Sequence, residues 1–288
     1  MTTLNVIGTG RVGQTLAHLW QRQGLCQVQD LLPRSEASAA KPAAFTGAGR
    51  VAASLAALRE ADLWMLSVPD TQVAAVAAAL AQALRAKGAL RPAIVFHCSG
   101  FLQACALAPL QALGWQAASV HPVLNFASPE AGVARFAGTP CGLEGDEAAV
   151  AALQPLFAGV GGVCFPVISE HKPLYHAAAV FASNFATVLQ AIGQEAWRSA
   201  GVPQDMVPRV HEALLRATVE NTLALGPARA ITGPAARGDT QVVQAQGEHV
   251  ARWHPEAGRI YQDMSVLARR LAVQGSTLPS PHSEEKQR

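Results

Sequence analysis

The stretch SEHKPLYHAAAVFASNFATVLQ (169–190) sets Lys172 and His176 four residues apart, with Ser183 and Asn184 further along. On an α-helix that spacing is one turn, and at about 100° per residue Ser183 falls within about 40° of both. The result is a polar stripe on an otherwise Ala-, Val- and Phe-rich helix, with Asn184 on an adjacent face. A cation beside a proton donor suits a reaction that builds negative charge on an oxygen, such as hydride transfer to a carbonyl. Lys172 can polarise or protonate that oxygen, and His176 can donate or orient. The bland reading is a solvated first turn with an incidental histidine.

The partner for that chemistry is expected at the other end of the chain, in VIGTGRVG (6–13). Gly8, Gly10 and Gly13 fall between a strand-like run and a helical pattern. The first permits a tight turn, the second lets backbone approach a pyrophosphate, and the third allows helix and strand to pack closely. Thr9, Arg11 and Val12 complete the loop, and the helix that follows offers free N–H groups to phosphate. A dinucleotide reader of the NAD type places an acid near the end of the second strand. Asp30 is at about that distance, but Leu31 and Leu32 continue the apolar run and keep it inside the strand. Beyond the tip stand Arg34 and Ser35, a guanidinium and a hydroxyl suited to a 2′-phosphate. NADP is therefore the expected cofactor, with Arg11 adding positive charge.

Loops at the carboxyl ends of later strands should complete the cleft. In SVPD (67–70), Val68 and Pro69 are expected against the cofactor. In HCSG (97–100), His97 reads as a satisfied core histidine, while Ser99 and Gly100 form a small polar corner fit for substrate. His121, in HPVLNF (121–126), either contacts substrate or caps a turn with Pro122. In ITGPAARGDTQ (231–241), Thr232 is a further substrate candidate, Arg237 is the loop's one cation, and Asp239 is placed to cap the next helix.

Short apolar runs at 4–8, 26–32, 62–68, 93–98, 117–122, 139–145 and 161–167 predict strands, several of them continuous as strands buried on both faces should be. Helical patterns at 12–23, 71–86, 101–113 and 146–157 separate them. Repeated β-α-β predicts an α/β fold, a Rossmann-like and mostly parallel sheet, over 1–168. From Ser169 the texture turns helical, with segments at 172–200, 203–226, 239–253 and 255–275 punctuated by Pro and Gly. This predicts a second, all-helical domain over 169–275, and residues 276–288 read as a disordered tail.

Composition narrows the class. Of 288 residues, 50% are apolar and 15% charged, with a net charge of +2, which excludes a mainly disordered chain and argues against nucleic acid or an anionic membrane as partner. Five separated cysteines without C-x-x-C or zinc-like pairing read as reduced thiols, with no metal expected. There is no basic signal-like start and no apolar run of membrane-spanning length. A soluble cytoplasmic protein acting on a small molecule is expected.

VIGTGRVG, the RS pair after the second strand, SVPD, HCSG, HP, KPLYHAAAVFASN and TGPAARGD together resemble a group of NADP-dependent oxidoreductases. In that group a Rossmann-like domain precedes a helical C-terminal domain of unassigned function. The chain is more distantly similar to the 6-phosphogluconate dehydrogenase superfamily, with its β-hydroxyacid dehydrogenases, ketopantoate reductases and pyrroline-5-carboxylate reductases. The resemblance implies that Lys172 matches the catalytic lysine of β-hydroxyacid dehydrogenases, while His176 replaces their asparagine. It also implies a small 2-oxo acid such as ketopantoate as substrate, with a cyclic imine or a non-catalytic NADP sensor as alternatives. A homodimer paired through the helical domains is implied as well.

Overall fold

The computed structural model describes residues 1–34, 40–88 and 91–279. The expected Ser35 contact and residues 280–288 of the expected tail lie outside these. The described chain forms two compact units, Met1–Ala182 and Ser183–Arg288.

The first unit is built on β1 (Thr3–Ile7), α1 (Arg11–Arg22), β2 (Gln27–Leu32), α2 (Ala40–Thr46), β3 (Arg50–Val51), β4 (Leu63–Leu66), α3 (Asp70–Lys87), β5 (Ile94–His97), α4 (Ala108–Gln111), β6 (Gln116–Pro122), α5 (Pro129–Arg135), β7 (Pro140–Gly145), α6 (Glu147–Gly159), β8 (Val163–Pro166) and α7 (Lys172–Val180). Its eight strands make one sheet in the order β3-β2-β1-β4-β5-β6-β7-β8. All neighbours run parallel except β6 and β7. Strand order reverses between β1 and β4, which opens the crevice where ligands bind in such sheets.

Both faces of the sheet are packed. One carries Trp20, Phe96, Phe136 and Phe157, the other Trp64, Leu80, Leu107 and Trp115, all buried. The three indoles stay satisfied inside by donating to the carbonyls of Leu156, Ala61 and Arg91, as buried tryptophans must.

All seven predicted strands form. The eighth, β3, is two residues long and starts at an arginine, so hydrophobic pattern could not mark it. Its partner explains it: Asp30 of β2 is fully buried and accepts from Arg50 at 2.9 and 3.0 Å, and from Arg59 through its backbone N–H at 2.7 Å and its guanidinium at 2.7 Å. Burial alone would push the Asp30 carboxyl up, but the hydrogen bonds from Arg50 and Arg59 outweigh it and hold the pKa at about 2. Asp30 is thus committed to the edge of the sheet and is not placed to hold a ribose. Holding the Asp30 pKa at about 2 corresponds to about 2 kcal/mol of stability at neutral pH, so Asp30→Ala is expected to lose about that much in urea unfolding at pH 7. Because the folded pKa lies below the unfolded value of about 3.9, this contribution is complete above that value and is lost as pH falls through about 2. The gap between wild type and variant should therefore close between pH 4 and 2.

The helix predicted over 101–113 is instead a 3₁₀ turn, Ala104–Leu107, followed by the short α4. The Ser99 hydroxyl accepts from the N–H groups of Phe101 and Leu102, and the N–H of Ala104 goes to Glu144, so local bonds compete with helix at its start. Helix α5, led by the Ser128 cap and Pro129, is absent from the predicted pattern.

The single helix predicted over 172–200 is α7, a π-helical turn Phe181–Phe185, and α8 (Ala186–Ser199). The compact unit runs past the change of texture at Ser169 because α7 packs its Lys172 side chain beneath β5, β6 and β7. The wider turn also breaks the 100° step on which Ser183 aligned with Lys172 and His176.

The second unit continues with α9 (Val207–Leu225), α10 (Pro227–Ala230), α11 (Pro234–Arg237), α12 (Thr240–Trp253) and α13 (Pro255–Gln274). It is all helical among its described residues, as expected, although α9 starts at Val207 rather than at Pro203. Val207 and Ala257 are its buried apolar side chains, while Leu214, Leu223, Val266 and Val273 are more than half exposed. No helix among the described residues is long and apolar enough to cross a membrane.

Candidate active site

The glycine turn after β1 is built as its spacing requires. Gly8 has φ +89°, and a Cβ there would meet the Ser67 carbonyl at 2.4 Å. A Cβ on Gly13 would meet the Gly8 carbonyl at 2.5 Å, so these two glycines let α1, β1 and the loop after β4 close on one another. Gly10 differs: a Cβ there meets no protein atom within 4 Å. It stands at the N-terminus of α1, where no side chain caps the first-turn N–H groups. Open space over free N–H groups at a helix start fits a pyrophosphate.

Two cavities share this turn. One of about 570 Å³ is lined by Gly8, Thr9, Gly10, Arg34, Val68 and Pro69, among others, and the other, of about 510 Å³, by Gly10, Arg11, Val12, Val68, Pro69, Asp70, Cys98 and Ser99. Nearly every residue assigned to the cofactor from sequence lines one or both of these, with Gly13 behind the turn. A dinucleotide with its pyrophosphate at Gly10 would extend one arm towards Arg34 and the other towards Ser99. Arg34 is exposed at the first end, and Arg11 reaches the Phe126 carbonyl at 3.4 Å near the second.

Beyond Ser99 a polar cluster is assembled from the ends of β5, β6 and β7 and from α7. Lys172 is 1% exposed; its ammonium donates to the Ser99 carbonyl at 3.0 Å and the Ser119 hydroxyl at 2.5 Å, and pairs with Glu144 at 3.5 Å. Burial pulls the Lys172 pKa down, against the pull of Glu144. Glu144 also accepts from the Ala104 N–H at 2.7 Å and the Ser169 hydroxyl at 2.8 Å.

His121, on β6, shares a 2.9 Å hydrogen bond with the Tyr175 hydroxyl and stands edge to face with His176, ring centres 5.7 Å apart. Burial, then the neighbouring His176 and Lys172, press the His121 pKa down to about 4. Burial pushes the Tyr175 phenol up to about 12, so the hydroxyl stays protonated beside His121. Gly142, opposite His121 in the sheet, makes room for that hydroxyl: a Cβ there would meet it at 2.8 Å.

His97 is the core histidine that its setting predicts: it is fully buried, bonded to the Gln103 carbonyl and the Ser99 N–H, and pressed by burial to about 4. Ser99, Gly100, His121, Lys172 and His176 come together in the first unit. Ser183, Asn184, Thr232 and Arg237 belong to the second, where Ser183 donates to Asn184 at 2.8 Å, Thr232 is exposed and Arg237 pairs with Asp239 at 2.8 Å. Asp239 takes the N-cap position of α12 without a side-chain capping bond, its carboxylate being turned to Arg237.

Ser119, Gly142, Glu144 and Tyr175 are additions to the sequence reading. A lone carboxylate inside the apolar strand run PCGLEG was the available signal for Glu144, and the helical i, i+3 spacing from Lys172 for Tyr175.

An open α/β sheet with a glycine turn at its switch point defines a dinucleotide-binding class of fold. Residues 2–122 match the Rossmann-like domain, and residues 139–267 match a domain of unknown function, DUF2520; the chain pairs the two. No curated protein matches it. Among solved structures it is similar to a candidate NADP oxidoreductase of Bacteroides fragilis (24% identity, TM-score 0.71) and a protein of Thermotoga maritima (25%, 0.71), in each case over 93% of this chain and 98% of the other. It is also similar to the pyrroline carboxylate reductase of Plasmodium falciparum with NADP bound, at 11% identity and TM-score 0.55, over 94% of this chain and 98% of that one.

Proposed function

We propose that this chain is an NADPH-dependent reductase of a small carbonyl acid, a 2-oxo acid such as ketopantoate being one candidate. The observation that carries this reading is the continuity of the site. The open space at Gly10 joins an arginine-ended cavity to one ending at Ser99, where a buried cation and two imidazoles gather. Bound NADPH would supply a hydride to the substrate carbon. Negative charge then develops on the oxygen, and N–H donors fixed in place before the reaction stabilise it. Each turnover reduces one C=O to CH–OH, consuming one NADPH and one proton. The cyclic imine alternative, C=N to CH–NH, uses the same hydride and proton, and is favoured by the likeness to a pyrroline carboxylate reductase. The exposed leucines and valines of the second unit support a homodimer that covers them.

The test is NADPH oxidation, followed by absorbance, against a panel of 2-oxo acids including ketopantoate and of cyclic imines, with the mass in solution measured on the same preparation. Turnover of one class with NADPH is expected, from a particle of twice the chain mass. Tight NADPH binding with no oxidation by any member would leave the sensor reading instead.

A further inference from the structure

Lys172 is sealed from solvent, and its ammonium is committed to three protein oxygens: the Ser99 carbonyl, the Ser119 hydroxyl and Glu144. An ammonium has three N–H donors, so a substrate oxygen would have to displace one of these. The backbone N–H, the carbonyl and the hydroxyl oxygen of Ser99 are engaged as well. Its N–H donates to His97 at 3.2 Å, its hydroxyl accepts from Phe101 and Leu102, and its carbonyl takes both Lys172 and Ser119. The turn that carries Gly100 is therefore pinned from three sides.

Gly100 is where the pinned turn meets the imidazoles. A Cβ added there would lie 2.5 Å from His176 Nδ1 and 2.8 Å from His121 Cε1. His176 Nδ1 is buried and has no hydrogen-bond partner among the described residues. A proton on Nδ1 would face the Gly100 Cα–H without an acceptor, whereas a lone pair there makes a weak Cα–H contact. The ring proton accordingly belongs on Nε2. Since His176 as a whole is half-buried while Nδ1 is sealed, the Nε2 edge is the side left for a ligand.

We propose that Lys172 is a positioning residue that does not touch substrate: with Ser119 and Glu144 it pins the Ser99–Gly100 turn on which His176 is seated, and His176 Nε2–H is the hydrogen-bond donor offered to the substrate's C=O or C=N. This rests on the reductase reading, but its geometry can be tested without turnover. The ionisable groups that act on His121 are Lys172 and Tyr175 from α7 and Asp70 from the start of α3, while Glu144 from β7 and Cys98 after β5 act on Lys172. Lys172 is a positive neighbour that helps to hold His121 down. Its loss must let His121 take a proton at higher pH.

The first measurement is nitrogen-detected NMR of the histidine side chains in the cofactor-free protein. His176 is expected as the Nε2–H tautomer, and Lys172→Met is expected to raise the His121 pKa above about 4. A proton on Nδ1 of His176, or an unmoved His121, overturns the proposal whether or not the chain is a reductase. The second, on any substrate that turns over, is the pH profile. Lys172→Met is expected to lower kcat by about 100-fold with KM nearly unchanged, and to keep the wild-type ionisations, shifted upward. Loss of one limb of the profile would instead make Lys172 the proton donor. Should Lys172→Met not fold, Ser119→Ala removes a contact to the same turn; it is expected to lower kcat by about 10-fold at unchanged KM, and unchanged kcat overturns the proposal.

Discussion

Gly10→Ala is expected to fold like the wild type and to lose dinucleotide affinity by about 100-fold, while Gly8→Ala is expected not to fold stably. The three glycines of the turn look alike in sequence and differ in what surrounds them. At Gly8 a methyl group would lie 2.4 Å from the Ser67 carbonyl, on a backbone at φ +89° that side chains rarely adopt. Strain at such a φ costs about 1–3 kcal/mol before any clash is counted, and the clash is with backbone, which cannot swing away. At Gly10 the backbone is ordinary, φ −74° and ψ −168°, and the methyl group meets no protein atom. Its volume falls into the space where a pyrophosphate would lie on the N–H groups of α1, and a hundredfold loss corresponds to about 2.7 kcal/mol of lost contact. Thermal melting of both variants and NADPH titration of Gly10→Ala check the pair. Full affinity in Gly10→Ala would mean that the cluster is only a turn between strand and helix.

That contrast shows what kind of information a sequence holds. The spacing of Gly8, Gly10 and Gly13, set between an apolar run and a helical pattern, was enough to place the turn between β1 and α1, because local geometry makes the same demand in any such β-α unit. The parallel strands were legible for a similar reason: strands buried on both faces are continuous in Val, Ile, Leu and Phe. Pairings across long separations were not legible. Strand β3 exists because Asp30 draws in Arg50 and Arg59, and no window around Arg50 contains Asp30. Lys172 and His176 could be found one turn apart on α7. That Lys172 reaches Ser99, 73 positions away, and Ser119, 53 away, follows from sheet order alone, which brings β5, β6 and β7 side by side. The lysine was visible; the oxygens that occupy it were not, and they change its role from a group facing substrate to one holding the turn.

Arg34→Ala is expected to weaken NADPH by about 10- to 100-fold and to leave NADH nearly unchanged. Arg34 lines the same cavity as Gly8, Thr9 and Gly10, just past the end of β2, where the ribose next to the adenine lies in folds of this topology. Asp30 is not the carboxylate that would select NADH by holding a 2′-hydroxyl, because it is buried under Arg50 and Arg59. At the described end of that loop a 2′-phosphate would meet the exposed Arg34 guanidinium. Charge-assisted hydrogen bonds of this kind contribute about 1.5–3 kcal/mol, which is the factor of about 10–100. The same exposure makes the interaction sensitive to salt, so NADPH affinity should fall with ionic strength more steeply in the wild type than in Arg34→Ala. Titrating both cofactors into both proteins at two salt concentrations separates the cases. Equal weakening of NADPH and NADH would make Arg34 a general phosphate contact, and selectivity for the 2′-phosphate would then have to come from another residue.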